Sequence, residues 1–223
     1  MTTANATVHS RDRRLALIAL AGGITTLTLL WIGPLATLSR TSFAAHMVLH
    51  IGVVAVAAPL IGYAIAKRLP ATERFSAALS WCLVAGLFEM LVVWGWHIPL
   101  LHDAAAESTP LFVIEQASFL TAALALWTAA MTARTRQTAG AAVIVLFLTF
   151  THMSMFGLVL TLAPRLLYDP RLCQAAFGLN RLDNRHLGGV IMVAGGLPYL
   201  AATIVAAHRL VTGGESSRLL SFP

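Results

Sequence analysis

Charged side chains are scarce in this chain: they make up 11% of its 223 residues, whereas hydrophobic residues make up 58%. A soluble domain usually carries about a quarter charged residues. The composition therefore excludes an ordinary soluble domain and indicates an integral membrane protein. Segments of about ten residues with alternating polarity, which mark an outer-membrane barrel, are also absent.

The motifs of several enzyme classes are missing as well. The chain has no nucleophile elbow, no phosphate-binding loop, no dinucleotide fingerprint and no HExxH. These absences remove any positive case for a hydrolase or an ATP-driven pump. We expect no turnover chemistry, and therefore not an enzyme.

The chain does contain six long apolar stretches. An α-helix needs about 20 apolar residues to cross the hydrocarbon core. The candidate spans are residues 15–33, 43–66, 75–96, 111–131, 139–163 and 187–207. We predict an all-α membrane bundle of six transmembrane helices, with residues 15–211 as one domain. The polar segments 1–14 and 212–223 are expected to be cytoplasmic and disordered.

The basic residues predict the sidedness. With the N-terminus in the cytoplasm, ten of the 15 basic residues fall on the cytoplasmic side and five on the outer side. This bias agrees with the positive-inside rule, so both termini are predicted to be cytoplasmic. The net charge of +6 is then a topology signal and gives no reason to expect nucleic acid as a partner. The first span exceeds the usual 7–15 apolar residues of a signal peptide, which favours a retained anchor.

Only two cysteines are present. The predicted topology puts Cys82 near the cytoplasmic end of the third span and Cys173 in the last outer loop. Because a disulfide needs Cα atoms within about 7 Å, these two cannot pair within one chain. Cys173 is open to interpretation as a free thiol, a metal ligand or an ordinary loop residue.

Histidines gather at one end of the predicted bundle. Six of the eight map to its outer half: His46, His50, His97, His102, His152 and His186. Ionisable groups are expensive inside a membrane, so each is a functional candidate by default.

His46 and His50 form the best-defined pair. Their spacing of four puts both rings on one helical face, about 5–6 Å apart at Cβ, where they can share copper or zinc. The alternative is two histidines bonded to loop carbonyls at the headgroup level. His97 follows two tryptophans and precedes Pro99, so it is either a ligand or an interfacial histidine. His102 and Asp103 are secondary candidates.

Two carboxylates and a thioether complete the candidate set. Glu89 and Glu115 lie inside spans, where a carboxylate must pair, bind a metal or take up a proton. Each could orient a histidine beside a metal, or be a protonated acid bonded within the bundle. His152 and Met155 are three residues apart, and imidazole with thioether suits Cu(I). The alternative for Met155 is flexible gap filling.

Several ordered segments resemble the CtaG-type cytochrome oxidase assembly proteins, a multi-span family associated with caa-type oxidases. The matching segments are residues 46–50 (HMVLH), 94–99 (WGWHIP), 100–105 (LLHDAA), 115–119 (EQASF), 164–168 (PRLLY) and 186–192 (HLGGVIM). The chain departs from the family pattern at Gln116, where the family usually has histidine after the glutamate. It also departs at Asn184-Arg185-His186, where the family tends towards Asp-Gln before the glycines.

The resemblance implies an assembly factor in the bacterial inner membrane that handles copper for a haem-copper oxidase. The leading hypothesis is an outer-facing copper site built from His46, His50, His97 and His152. Glu89 and Glu115 would compensate its charge, and Met155 would be a further ligand. The partners would be the lipid bilayer, an oxidase core subunit and, as an open alternative, a second copy of the chain.

Three other functions remain open. Histidines on different helices, such as His50 and His152, could ligate a b-type haem in an electron-transfer subunit. Glu89 and Glu115 could carry protons or metal ions through a transporter, although the inverted repeat of many transporters is not evident. The chain could also be a permanent structural subunit of the oxidase.

Overall fold

The computed structural model describes residues 3–165, 167–168 and 179–212, with side chains from residue 11 onward. Within these residues the chain is helical without strands, and six helices are long and apolar enough to cross a membrane. The helices are α1 (Thr3–Ile32), α2 (Pro34–Leu38), α3 (Phe43–Ile51), a π-helical turn (Gly52–Ala57), α4 (Ala58–Ala66), α5 (Phe75–Trp96), α6 (Pro99–Glu107), α7 (Thr109–Thr132), α8 (Arg136–Leu162), α9 (Arg181–Gly195) and α10 (Leu197–Thr212). The predicted all-α bundle of six spans is confirmed.

Local structure differs from the sequence prediction at three places. Helix α1 begins at Thr3, so the disorder predicted for residues 1–14 is wrong from that residue onward. The connection after His97, predicted as an outer loop, contains α6, because Pro99 occupies the first helical turn, where its fixed φ suits a helix. The last span consists of α9 and α10, which meet at Gly196.

Some predictions fall outside the described residues. Cys173 and the tail from residue 213 onward belong to this part of the chain. Cys82, in contrast, is described and is a buried free thiol on α5.

Five of the six spans form a closed ring. The span α3–α4 packs against α7, α7 against α5, α5 against α8, and α8 against α9 and α10, while α9 returns to α3. Helix α1 lies outside the ring against α4 and the π-helical turn. Because neighbouring spans run in opposite directions, the starts of α3, α7 and α9 meet the ends of α5 and α8. We call this the histidine end of the bundle and the opposite one the basic end.

The π-helical turn joins three spans at the centre of the bundle. Its Val54 carbonyl accepts hydrogen bonds from the Trp127 indole at 2.9 Å and from the Tyr199 hydroxyl at 3.1 Å. Trp127 is on α7 and Tyr199 is on α10, and their rings stack at 4.8 Å between centroids. A carbonyl group inside hydrocarbon needs such donors from the protein, since no water is present to donate a hydrogen bond instead.

Two glycines let α8 and α9 approach closely. A Cβ atom added at Gly189 would lie 2.8 Å from the Thr161 backbone nitrogen and 2.9 Å from the Gly157 carbonyl oxygen. A Cβ atom at Gly157 would lie 2.7 Å from the Val193 backbone nitrogen. Small residues at such crossings are typical of helix contacts in membranes.

We therefore expect Gly189→Ala to separate α8 from α9 and to lower the free energy of unfolding by roughly 1–3 kcal/mol, the usual cost of overpacking. Thermal unfolding of purified protein in detergent measures this effect. Gly95→Ala is the matched control, because a Cβ atom there meets nothing within 4 Å. Equal transition temperatures for the two variants would contradict a close crossing at Gly189.

Candidate metal-binding site

The first turn of α3 is fixed by a side chain from α9. Ser42 caps the helix, and its hydroxyl accepts from the Ala45 amide at 3.4 Å. The Asn184 carbonyl oxygen accepts from the Ala44 amide at 2.9 Å, and the Asn184 amide group donates to the Ser42 hydroxyl at 3.0 Å. Asn184 is fully buried. These bonds fix the position of α3, and with it His46, relative to α9.

Four histidine rings meet at the histidine end, and we call them the histidine cluster. His46 and His50 come from α3, His97 caps α5, and His102 lies on α6. The centroid of the His46 ring is 5.7 Å from that of His97 and 4.9 Å from that of His102. The His50 and His97 centroids are 5.4 Å apart. All four side chains are buried. The structure therefore brings together three predicted ligands and adds His102, a secondary candidate.

Many nitrogens of this cluster lack a hydrogen-bond partner. Among the described residues, none is found for Nε2 of His46, His97 or His102, nor for either ring nitrogen of His50. A buried polar atom without a partner costs about 1–3 kcal/mol. Native proteins rarely keep several such atoms in one place without a purpose. The cluster therefore concentrates buried ring nitrogens whose bonding capacity a bound ligand could satisfy.

A hydrogen bond and burial together set the tautomer and the charge of the His97 ring. Its Nδ1 lies 2.6 Å from the Val93 carbonyl oxygen, which favours the tautomer with the proton on Nδ1. Burial lowers the pKa of His97 to about 3, and this effect outweighs the opposing hydrogen bond to Val93. The ring is therefore neutral at physiological pH, and its Nε2 carries a free lone pair. A neutral imidazole is the form that binds metals.

Aromatic rings surround the cluster. Phe43 stacks on His46 at 6.3 Å and on Tyr168 at 4.9 Å between centroids. Tyr168 also contacts His102 at 4.1 Å, and its hydroxyl donates to the His97 carbonyl at 3.2 Å. Phe119 packs on His50 at 4.2 Å. These rings hold the imidazoles in place and exclude water from them.

Two carboxylates adjoin the cluster. Asp103 Oδ1 lies 3.2 Å from Nδ1 of its chain neighbour His102. Glu115 Oε1 lies 3.9 Å from His46 Nε2, which is too long for a hydrogen bond but close enough for charge interaction. The Gln116 amide donates to Glu115 Oε2 at 3.3 Å, and its carbonyl oxygen accepts from the Trp31 indole at 3.3 Å. From the sequence, Gln116 was noted only because the family usually has a histidine there. In the structure, Gln116 orients Glu115 and joins α1 to α7.

The other predicted ligands lie elsewhere. His152 Nε2 is 2.9 Å from Glu89 Oε2, and this pair joins α8 to α5. Met155 is 49% exposed and borders a groove between α5 and α8 together with His152. His186 is exposed at the start of α9. The structure therefore does not bring Met155 or His186 to the histidine cluster.

The cluster is not arranged as a finished metal site. Among residues 3–165, 167–168 and 179–212, no group of three or more His, Cys, Asp or Glu side chains is placed to hold one ion. Two imidazoles bound to one tetrahedral ion at 2.0–2.1 Å have centroids roughly 5 Å apart. The observed separations are of this size, so the rings are near enough, but their nitrogens would have to rotate towards a common point.

The whole membrane bundle matches a known family. The family model described as "Cytochrome c oxidase caa3 assembly factor (Caa3_CtaG)" matches residues 3–212. This chain belongs to that family. Comparisons with curated proteins and with solved structures find no match. The resemblance of the sequence segments is thus confirmed, and the chain is a multi-span membrane protein of the caa3 oxidase assembly factor family.

Asn184 gives a test of how the site is positioned. We expect Asn184→Ala to lower the free energy of unfolding by about 1–3 kcal/mol, because it leaves the buried Ala44 amide without its partner. Asn180→Ala is the matched control: Asn180 also caps a helix through the Asp183 amide at 3.0 Å, but at an exposed site. Thermal unfolding in detergent compares the two variants. An unchanged transition temperature for Asn184→Ala would show that the bond from Asn184 to the start of α3 does not stabilise the fold.

Proposed function

We propose that this family member handles copper at the histidine cluster during assembly of a haem-copper oxidase. Membership of the family supports the assembly role. The observation that supports copper is the set of buried imidazole nitrogens without a partner in the described residues. Imidazole suits copper, and a bound ion would satisfy these nitrogens together. Copper would be cargo that arrives and leaves, and no catalytic step is involved.

The proposed ligands are His46, His50, His97 and His102. They come from three helices that meet at one end of the bundle, so small ring rotations can aim their nitrogens at one ion. Glu115, at 3.9 Å from His46, would compensate the positive charge of the ion. Such compensation is needed because the surrounding hydrocarbon cannot solvate a charge. The Glu89–His152 pair and Met155 are left out of this ligand set because they lie apart from the four rings.

The histidine end would face outward from the bacterial inner membrane. The distribution of basic residues supports this orientation. An outer-facing site could pass copper by ligand exchange to an oxidase core subunit in the same membrane. Because every proposed ligand is an imidazole, release would require only competing ligands of similar strength.

The packing of His50 favours a small ion over haem. Its ring is fully buried between Phe119, at 4.2 Å, and His97, at 5.4 Å between centroids. A porphyrin axial to His50 would need the space that these rings occupy. His152, the other proposed axial ligand, has its Nε2 engaged by Glu89.

Copper analysis of purified protein tests the proposal. After loading with Cu(I) and removal of excess ion, we expect the wild type to retain copper in proportion to protein and His46→Ala/His50→Ala to lose at least nine-tenths of it. The loss follows because two of four ligands are removed, including both imidazoles of one helix face. Elemental analysis gives the ratio, and an absorption spectrum shows whether a Soret band is present.

His186→Ala/His208→Ala is the control, since both residues are exposed and lie outside the cluster. It removes the same number of imidazoles and should keep wild-type copper. Equal copper in the cluster variant and the wild type would refute these ligands. A Soret band that disappears with His50→Ala would replace copper handling by haem binding.

A further inference from the structure

A cavity enters the bundle from the basic end, between α4, α7, α8 and α10. Its inner wall is apolar and includes Trp127, Leu146 and Ala202. Ala202 lies seven residues before Arg209 on α10, which places it about 10 Å deeper at 1.5 Å per residue. The cavity therefore reaches well into the depth of the hydrocarbon layer.

The mouth of the cavity carries three cations. Lys67 ends the second span, Arg134 joins α7 to α8, and Arg209 lies in the last turn of α10. Lys67 and Arg209 are exposed, whereas Arg134 is half-buried. Three chain segments that are distant in sequence thus place positive charge around one apolar opening.

The cations keep unused donors. Arg134 donates to the Ala66 carbonyl at 2.8 Å and to the Leu69 carbonyl at 3.0 Å, which occupies two of the five guanidinium N–H groups. The Lys67 ammonium contacts Asp12 at 3.1 Å and lies 5.5 Å from the Tyr63 ring centroid. Asp12, on α1, offsets one of the three positive charges, so the net charge at the mouth is still positive.

A second, adjoining cavity extends the basic surface. It shares Lys67 and Arg134 with the first and adds Arg13 and Arg68. Asp12 also lines it. The combined surface between α1 and α10 therefore offers five cations against one carboxylate beside a deep apolar opening.

We propose that the cavity at the basic end binds an anionic phospholipid, with the phosphate group at Lys67, Arg134 and Arg209 and an acyl chain along Trp127, Leu146 and Ala202. Basic pockets between transmembrane helices recognise anionic headgroups. A soluble anion would use the cations but would leave the apolar wall wet, and a neutral lipid would leave the cations without a partner. An anionic lipid satisfies both surfaces and would tie α10 to α4 and α7. This inference is independent of copper binding.

The test compares lipids on full-length protein in a neutral detergent. We expect dioleoylphosphatidylglycerol to raise the midpoint of thermal unfolding by roughly 5 °C, because a ligand of the folded state shifts the transition. Dioleoylphosphatidylcholine, alone or with inorganic phosphate, should give less than a third of this shift. Native mass spectrometry should show phosphatidylglycerol retained on the wild type. Equal shifts from the two lipids would refute recognition of the phosphate charge.

Paired variants locate the site. Lys67→Gln/Arg209→Gln should lose most of the phosphatidylglycerol shift, whereas Arg11→Gln/Arg14→Gln, with the same change of charge at exposed positions of α1, should keep it. Ala202→Phe should fill the apolar part and lose the shift with all cations present. Its neighbour Ala201 is exposed, so Ala201→Phe should retain it. If all four variants keep the shift, or all four lose it equally, the lipid does not bind in this cavity.

Discussion

The constraint that governs this bundle is the absence of water in hydrocarbon. Every buried polar group must find its partner within the protein. Several side chains do so by joining separate helices. The Val54 carbonyl is shared by side chains from α7 and α10, and the start of α3 is completed by Asn184 from α9. These bonds set the register of the spans. Five of the twelve buried side-chain nitrogen and oxygen atoms that lack a hydrogen-bond partner in the described residues belong to the histidine cluster.

The two polar centres of the bundle are built differently. Glu89 and His152 engage each other at 2.9 Å, so each partly satisfies the other without an added ligand. The histidine cluster contains four rings and two adjoining carboxylates, Glu115 and Asp103, but no ring Nε2 atom makes a comparable pairing in the described part of the chain. These Nε2 atoms therefore stabilise one another little. A cation is the partner that gives all of them a favourable interaction at once.

Hydropathy predicted the spans well because it measures the property that places a helix in the membrane. Residues 43–66 and 75–96 were predicted with the bounds that the structure shows. The start of α1 was missed because the helix continues past the hydrocarbon into a polar sequence, where hydropathy says nothing about helix formation. His102 was underrated for a related reason: its short helix, α6, begins at Pro99 after the span has ended, and no apolar repeat marks it.

Contacts between helices were the part that the sequence could not predict. The pairing of His152 with Glu89 depends on how α8 and α5 are rotated about their own axes. The amino-acid sequences of these two helices do not determine that rotation. Met155 illustrates the limit. Residues three apart on a helix differ by about 60° in direction, which is enough to turn one inward and the other outward. His152 points to Glu89, while Met155 is half exposed at the groove between the two helices.

Gln116 joins Glu115 to helix α1 through its single amide group. An amide cannot replace an imidazole as a strong metal ligand, but it can donate to a carboxylate and accept from an indole at the same time. Here it does both, with Glu115 on one side and Trp31 on the other. Its bond engages Oε2 of Glu115, whereas Oε1, the oxygen nearer His46, has no hydrogen-bond partner among the described residues. In the proposed copper site, this carboxylate would offset positive charge of the ion inside the membrane.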